Sequence, residues 1–135
     1  MLKRLIKKLR RSEKGQAMVE MALILPVLIL IIGGIVDFGW LFYNKLALNN
    51  AAREGARYAA IHYHLSTDWN AQAVQLMQNV YVGTNFSQAI VYDAASSQIQ
   101  AQISANVPVL TGITSTILGR DTIEMTGTCI MRLEN

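Results

Sequence analysis

The sequence predicts an α+β fold, with a long N-terminal helix whose first half is transmembrane and a small head containing a second helix and a three-stranded antiparallel sheet. Three observations lead to this prediction. Residues 21–36 form an uncharged apolar run, helix-forming residues rich in alanine continue to about residue 61, and apolar and polar residues alternate beyond residue 83. A chain of 135 residues has room for one small head domain.

The apolar run, MALILPVLILIIGGIV, lacks the polar residue at every third or fourth position that a soluble core helix would show. With its flanks it reaches the length of about 20 residues that crosses a bilayer, so we expect a transmembrane segment over about residues 17–40. Trp40 and Tyr43 follow it as interfacial anchors. Because basic residues precede it, the N-terminus is expected in the cytoplasm and the head outside.

Positive charge is concentrated at the start of the chain. Seven of the 12 lysine and arginine side chains lie within residues 1–15 with one glutamate, whereas residues 16–135 carry five basic and eight acidic side chains. The basicity therefore belongs to a short leader and does not indicate nucleic-acid binding. A cleaved secretory signal is one alternative, but the apolar run is long for that role and no small-x-small cleavage site follows it.

Gly15 and Glu20 precede the apolar run. A carboxylate costs about 2.5–3.5 kcal/mol at the centre of a membrane span, but near its end the side chain can reach the headgroups, so an interfacial Glu20 is the simpler interpretation. If the chain is instead cut between Gly15 and Gln16, the new α-amino group stands four residues before Glu20. The acid of one copy can then pair with the amine of a neighbouring copy. Glycine at the cut also lets an extended backbone enter a peptidase cleft.

The leader, Gly15, the following QAMVE and the apolar run resemble the class III signal of type IV pilin-like proteins. The segment FGWLFYNKLALNNAAREGARYAA and the closing TCIMRLE are similar, more narrowly, to the TadE-like pseudopilins of Flp (Tad) pilus systems. The resemblance implies that a prepilin peptidase cuts after Gly15 and that Glu20 serves processing or assembly. The implied partners are other pilin or pseudopilin subunits, the inner-membrane assembly platform and membrane lipid, with no nucleic acid.

Helix-forming residues beyond the membrane extend the first helix, residues 16–62, to roughly 70 Å at 1.5 Å per residue. Asp37 marks the point where this helix leaves the lipid, or it contacts a neighbouring helix. Arg53 and Arg57 share one helix face, with Glu54 within reach of Arg57. A solvated face with a minor ion pair is the simpler interpretation, whereas the resemblance favours contacts with the head or a partner subunit.

The head, residues 63–135, is predicted to begin with a helix over 66–80, capped by Ser66, Thr67 or Asp68. Its apolar stripe comprises Ala73, Leu76, Met77 and Val80. Strands are expected at 88–94, 98–107 and 121–133, with a turn at 93–97 and a short helix or loop in PVLTGITSTILG. The sheet needs a cover, which the second helix and the outer half of the first can supply.

No residue cluster indicates catalysis. His62 and His64 have only Asp68 nearby as a further metal ligand, so a polar connector is the simpler interpretation. Cys129 is the only cysteine, which excludes an intrachain disulfide, and it alternates with Ile123 and Met125 on a predicted core face with no base nearby. We predict no catalytic residue, cofactor or metal, and a protein that is not an enzyme.

Three functional hypotheses follow. The leading one is a minor pseudopilin of the inner membrane, trimmed at Gly15, that acts in building a Flp-type pilus or a related secretion machine and can itself enter the fibre. The alternative is an uncleaved single-pass membrane protein whose external head binds a partner. A secreted soluble enzyme would begin beyond Asp37 and would need a catalytic cluster that the sequence lacks.

Overall fold

A computed structural model describes residues 13–65 and 67–133. Most of the predicted leader, residues 1–12, and the predicted cap residue Ser66 lie outside the described residues. The elements, in chain order, are α1 Glu13–His62, α2 Trp69–Val80, β1 Phe86–Asp93, β2 Gln98–Pro108, α3 Gly112–Leu118 and β3 Thr122–Arg132. The predicted α+β class, with a long first helix, a second helix and three antiparallel strands, is confirmed.

Helix α1 has 50 residues and includes Pro26 in its interior. At 1.5 Å per residue it is about 75 Å long, and it begins three residues before the predicted start at Gln16. Its large apolar side chains between Met18 and Val36 are 46–74% exposed. An 18-residue window of this helix has a mean hydropathy of 2.7 and is only 6% buried, so it is not the core helix of a soluble domain. Its length and composition fit a membrane span.

The three strands form one antiparallel sheet in the order β1–β2–β3. The predicted turn at 93–97 is confirmed, and Asp93 organises it by accepting hydrogen bonds from the Ala95 N–H at 3.0 Å and from the Ser96 hydroxyl at 2.6 Å. Strand β1 begins at Phe86, two residues before the predicted start, because its pairing with β2 extends to Phe86 opposite Ala105.

The core lies between the sheet and the outer half of α1, with α2 beside it. The predicted alternation in β2 is confirmed, because every second residue from Ile99 to Val107 is buried. From the helices, the buried apolar side chains are those of Leu48, Ala51, Ala52, Ala56, Ala59, Ala73 and Met77. Small residues let these elements approach closely: a Cβ on Gly127 in β3 would lie 2.5 Å from the carbonyl carbon of Leu48.

Helix α2 differs from its prediction in two respects. It begins at Trp69, and Asp68 occupies the cap position without a side-chain cap hydrogen bond. Of the predicted apolar stripe, Ala73 and Met77 are buried and Leu76 is half-buried, but Val80 is 37% exposed. The reason is that α2 ends at Val80, and the next residue, Tyr81, enters the core in its place.

Candidate functional site

The predicted processing residues lie in the first turns of α1. Gln16 and Glu20 are exposed, and Gly15 is half-buried. The Gly15–Gln16 bond is helical, because α1 already begins at Glu13. A peptidase would therefore have to unwind the start of this helix. Cleavage, and the role of Glu20 in it, stay predictions.

Asp37 is the second acid of the expected membrane span, after Glu20, and it is only 2% exposed. Its carboxylate accepts a hydrogen bond from the Thr111 N–H at 2.7 Å and further hydrogen bonds from the hydroxyls of Thr111 and Thr114. Both carboxylate oxygens are thus engaged by the segment around α3 of the same chain. Sequence reasoning missed this contact, since it considered only lipid exit or a neighbouring helix for Asp37.

The segment around α3 contacts α1 at two further points. The Ile113 side chain lies against Gly33, where an added Cβ would approach its terminal carbon to 2.6 Å. The Trp40 indole donates a hydrogen bond from Nε1 to the carbonyl of Pro108 at 3.0 Å. These contacts hold the head against α1 well inside the predicted membrane span of about residues 17–40.

A cleft of about 380 Å³ opens beside this junction and is lined by residues of α1, of the chain after α2 and of the end of β2. Buried Asn44 lies in it, donating from Nδ2 to the Trp40 carbonyl at 2.9 Å and accepting from the Tyr81 hydroxyl at 3.3 Å. Burial raises the pKa of Tyr81 above its ordinary value. The side chains that line the cleft are all neutral.

The face of α1 that points away from the head carries the predicted contact residues. Arg53 and Arg57 are exposed, and Arg57 Nε lies 3.8 Å from Glu54 Oε2 in the ion pair that their spacing predicts. Among the described residues, no hydrogen bond or ion pair joins either arginine to the head, and their predicted contact with the head or a partner subunit stays a prediction. Nearer the membrane the same face is apolar: Phe38, Phe42 and Leu46 are 47–70% exposed, and the two phenylalanine rings stack with centroids 6.3 Å apart.

The two histidines contact neighbouring aromatic residues. His62 Nδ1 lies 2.9 Å from the Tyr58 carbonyl, and its ring stacks on the Tyr58 ring at 4.0 Å. His64 meets the edge of Tyr63 at 4.7 Å. Among residues 13–65 and 67–133, no group of three His, Cys, Asp or Glu side chains is placed to hold a metal. Cys129 is half-buried and packs against the core.

Fold and site together define a class of protein: a long apolar helix, exposed over its first half, that carries a small α+β head folded against its second half. Over that helix, residues 15–57 match the family model described as TadE-like protein, which confirms the resemblance seen in the sequence and supports a membrane-anchored protein associated with a Tad pilus. Neither the curated proteins nor the solved structures gave a match to the chain.

Proposed function

We propose that the protein is a minor pseudopilin of a Flp/Tad-type pilus or a related secretion system, processed by a prepilin peptidase and acting in pilus assembly. The observation that carries the proposal is the family match, which begins at Gly15, the predicted cleavage residue, and ends at Arg57, the last residue of the exposed charged group. It therefore covers both the processing residues and the face of α1 that is free for subunit contacts.

Cleavage after Gly15 would remove the basic leader and create an α-amino group on Gln16. In a single chain Glu20 is exposed and lies toward the N-terminal end of the apolar surface. When such helices pack together, the carboxylate of one copy and the amine of another lose water, and each then needs an opposite charge. Pairing between copies satisfies both charges and fixes the axial offset of adjacent helices.

The free face of α1 supplies the contacts for this packing. Asp37, Asn44 and Leu48 are buried against the chain's own head, whereas the phenylalanines, Leu46 and the arginine pair on the other face are exposed. Apolar surface that a single chain leaves exposed commonly marks a site of association with another protein or with membrane. The activity proposed here is structural rather than enzymatic, in the inner membrane, with the head outside.

One observation favours the alternative of an uncleaved single-pass protein with a partner-binding head. The Gly15–Gln16 bond lies inside a regular helix, which a peptidase does not cut without local unwinding. Under this alternative residues 1–15 remain as a cytoplasmic anchor and partner binding falls to the head.

Two substitutions in the native host separate these functions. Gly15→Leu should block trimming and pilus assembly, and Glu20→Gln should impair assembly, because it removes the charge that pairs with the new amine. Glu124→Gln, which changes an exposed acid of the head, is the matched control and should leave both trimming and pili intact. If pili form normally in both test variants, the protein acts as an uncleaved anchor.

A further inference from the structure

The segment Val109–Gly119, which contains α3, contacts α1 at a depth where the helix is expected to be in lipid. Gly33, which Ile113 touches, precedes Trp40 by seven residues. At 1.5 Å per residue this is about 10 Å along the helix axis from the tryptophan that anchors the span at the interface. The segment must then lie beside lipid or be shielded from it.

The segment exposes Thr116 and two large apolar side chains. Leu110 is 57% exposed and Ile117 is 69% exposed. No charged residue occurs from Ala94 to Gly119, and the first charge after the segment is Arg120. An exposed apolar surface of this kind is a liability in water but is stabilised by an acyl-chain environment.

The side-chain polar groups of the segment are satisfied internally, as such groups must be in lipid. It has four side-chain hydroxyls, and each donates a hydrogen bond within the chain. Those of Thr111 and Thr114 reach the Asp37 carboxylate. Those of Ser115 and Thr116 reach the Gly112 carbonyl, at 3.0 and 2.6 Å.

On α1, Asp37 is the residue that accepts the hydrogen bonds of Thr111 and Thr114. A charged side chain within a membrane span is costly unless it faces protein and finds partners. Here the carboxylate is 2% exposed and takes three hydrogen bonds from Thr111 and Thr114. The segment therefore covers the one acid that would otherwise face lipid at this level of the helix.

We propose that Val109–Gly119 is a second membrane contact, immersed in the leaflet on the head's side with Leu110 and Ile117 among the acyl chains. Its occupant is lipid, because its exposed apolar surface lies at the level of the exposed surface of α1, whose 18-residue apolar window is only 6% buried. The head is thereby held at the bilayer surface at two points, α1 and α3, which fixes its tilt and rotation. The inference rests on the membrane anchoring that forms part of the proposed function.

Depth-dependent quenching tests the proposal. In the full chain carrying Cys129→Ala, single cysteines replacing Leu110 or Ile117 receive an environment-sensitive fluorophore, and the protein is reconstituted at one copy per nanodisc with nitroxide-labelled phospholipid. Interfacial segments lie about 5–10 Å into the bilayer, so the label at either site should be quenched by a factor of about two or more relative to unlabelled lipid.

Labels at two control positions show whether a negative result concerns the second membrane contact alone or the membrane anchor as well. Ile29, which is 54% exposed on α1, reports the anchor itself, and Asn70, exposed on α2, reports the water-exposed head. Quenching at Ile29 but not at Ile117 would overturn the inference while leaving the anchor intact. No quenching at Ile29 would overturn the anchor and the inference together.

A second copy is the competing occupant of this surface. If Ile117 is shielded only in vesicles crowded with protein and is not quenched by lipid at one copy per disc, the surface is a subunit interface and the proposal fails. Should Cys129→Ala misfold, the unmodified chain is irradiated in discs containing a photoactivatable lipid. Peptide mass spectrometry should then find crosslinks in 109–119, and their absence alongside crosslinks in α1 would contradict the proposal.

Discussion

The contact between α1 and the centre of the sheet makes Gly127 sensitive to a single methyl group. A Cβ at this position would lie 2.5 Å from the carbonyl carbon of Leu48 and 2.8 Å from the backbone nitrogen of Asn49. These are backbone atoms of a helix, so no side-chain rotation can relieve the clash. Because an ordinary contact needs about 3.4 Å or more, α1 would have to retreat from β3 by about 1 Å, a gap that forfeits a quarter to a half of each dispersion contact.

We expect Gly127→Ala to lower the free energy of unfolding of the head by about 2–3 kcal/mol, the upper part of the range for overpacked cores. For a head of this size, that corresponds to a fall in Tm of roughly 8–24 °C. The measurement is thermal unfolding of the full chain in detergent, followed by near-ultraviolet circular dichroism of the packed aromatic residues. Far-ultraviolet signal alone would be dominated by α1.

Gly112→Ala is the matched control, since a Cβ there meets nothing within 4 Å. It should leave the Tm unchanged or raise it slightly, because alanine favours the helix by up to about 1 kcal/mol. If Gly127→Ala unfolds within about 0.5 kcal/mol of Gly112→Ala, a difference typical of neutral surface changes, α1 does not lie on the sheet as described.

The parts of the fold that could be predicted from the sequence are those that local patterns determine. The alternation from Ile99 to Val107 predicts a strand with one buried face, and a period of two admits no other regular structure. The turn at Asp93 was predictable because its side chain and Ser96 act locally. The start of β1 was not, since it depends on pairing with a distant strand.

The junction at Asp37 could not be predicted from local patterns. Its partners, Thr111 and Thr114, are 74 and 77 residues away, and neither spacing nor propensity relates them to the acid. One signal was available in retrospect: an acid in an apolar helix needs donors, and the uncharged, hydroxyl-rich PVLTGITSTILG offers them. The exposure of Val80 could not be predicted from its helical spacing either. Helix α2 ends at that residue, and Tyr81 enters the core instead.

Three further substitutions have distinct expected outcomes. Asp37→Leu should lower the stability of the head by about 1–3 kcal/mol, because it leaves the half-buried donors of Thr111 and Thr114 without an acceptor. Asp37→Asn should restore part of the loss, and equal stability of the two variants would exclude this role. Hydrogen bonds from Ser96 and the Ala95 N–H lower the pKa of Asp93 below its ordinary 3.8, so the carboxylate stabilises the turn above that pH and the benefit is lost as pH falls through the folded-state pKa. The Tm gap between wild type and Asp93→Ala should accordingly shrink between pH 6 and about 3, and a constant gap would refute it. Gly55→Ala should cost less stability than Gly127→Ala, because its Cβ would press on the buried Met77 side chain, 2.5 Å from Cγ and Sδ, rather than on backbone, and alanine favours the helix. A loss equal to that of Gly127→Ala would contradict this reasoning.

The N-terminus of the mature protein tests the functional account most directly. Intact-mass and N-terminal peptide measurements on protein from its native host, with the pilus machinery present, should find a chain that begins at Gln16. A chain that retains residues 1–15 under those conditions would contradict the proposal that this helix is processed for assembly with other subunits.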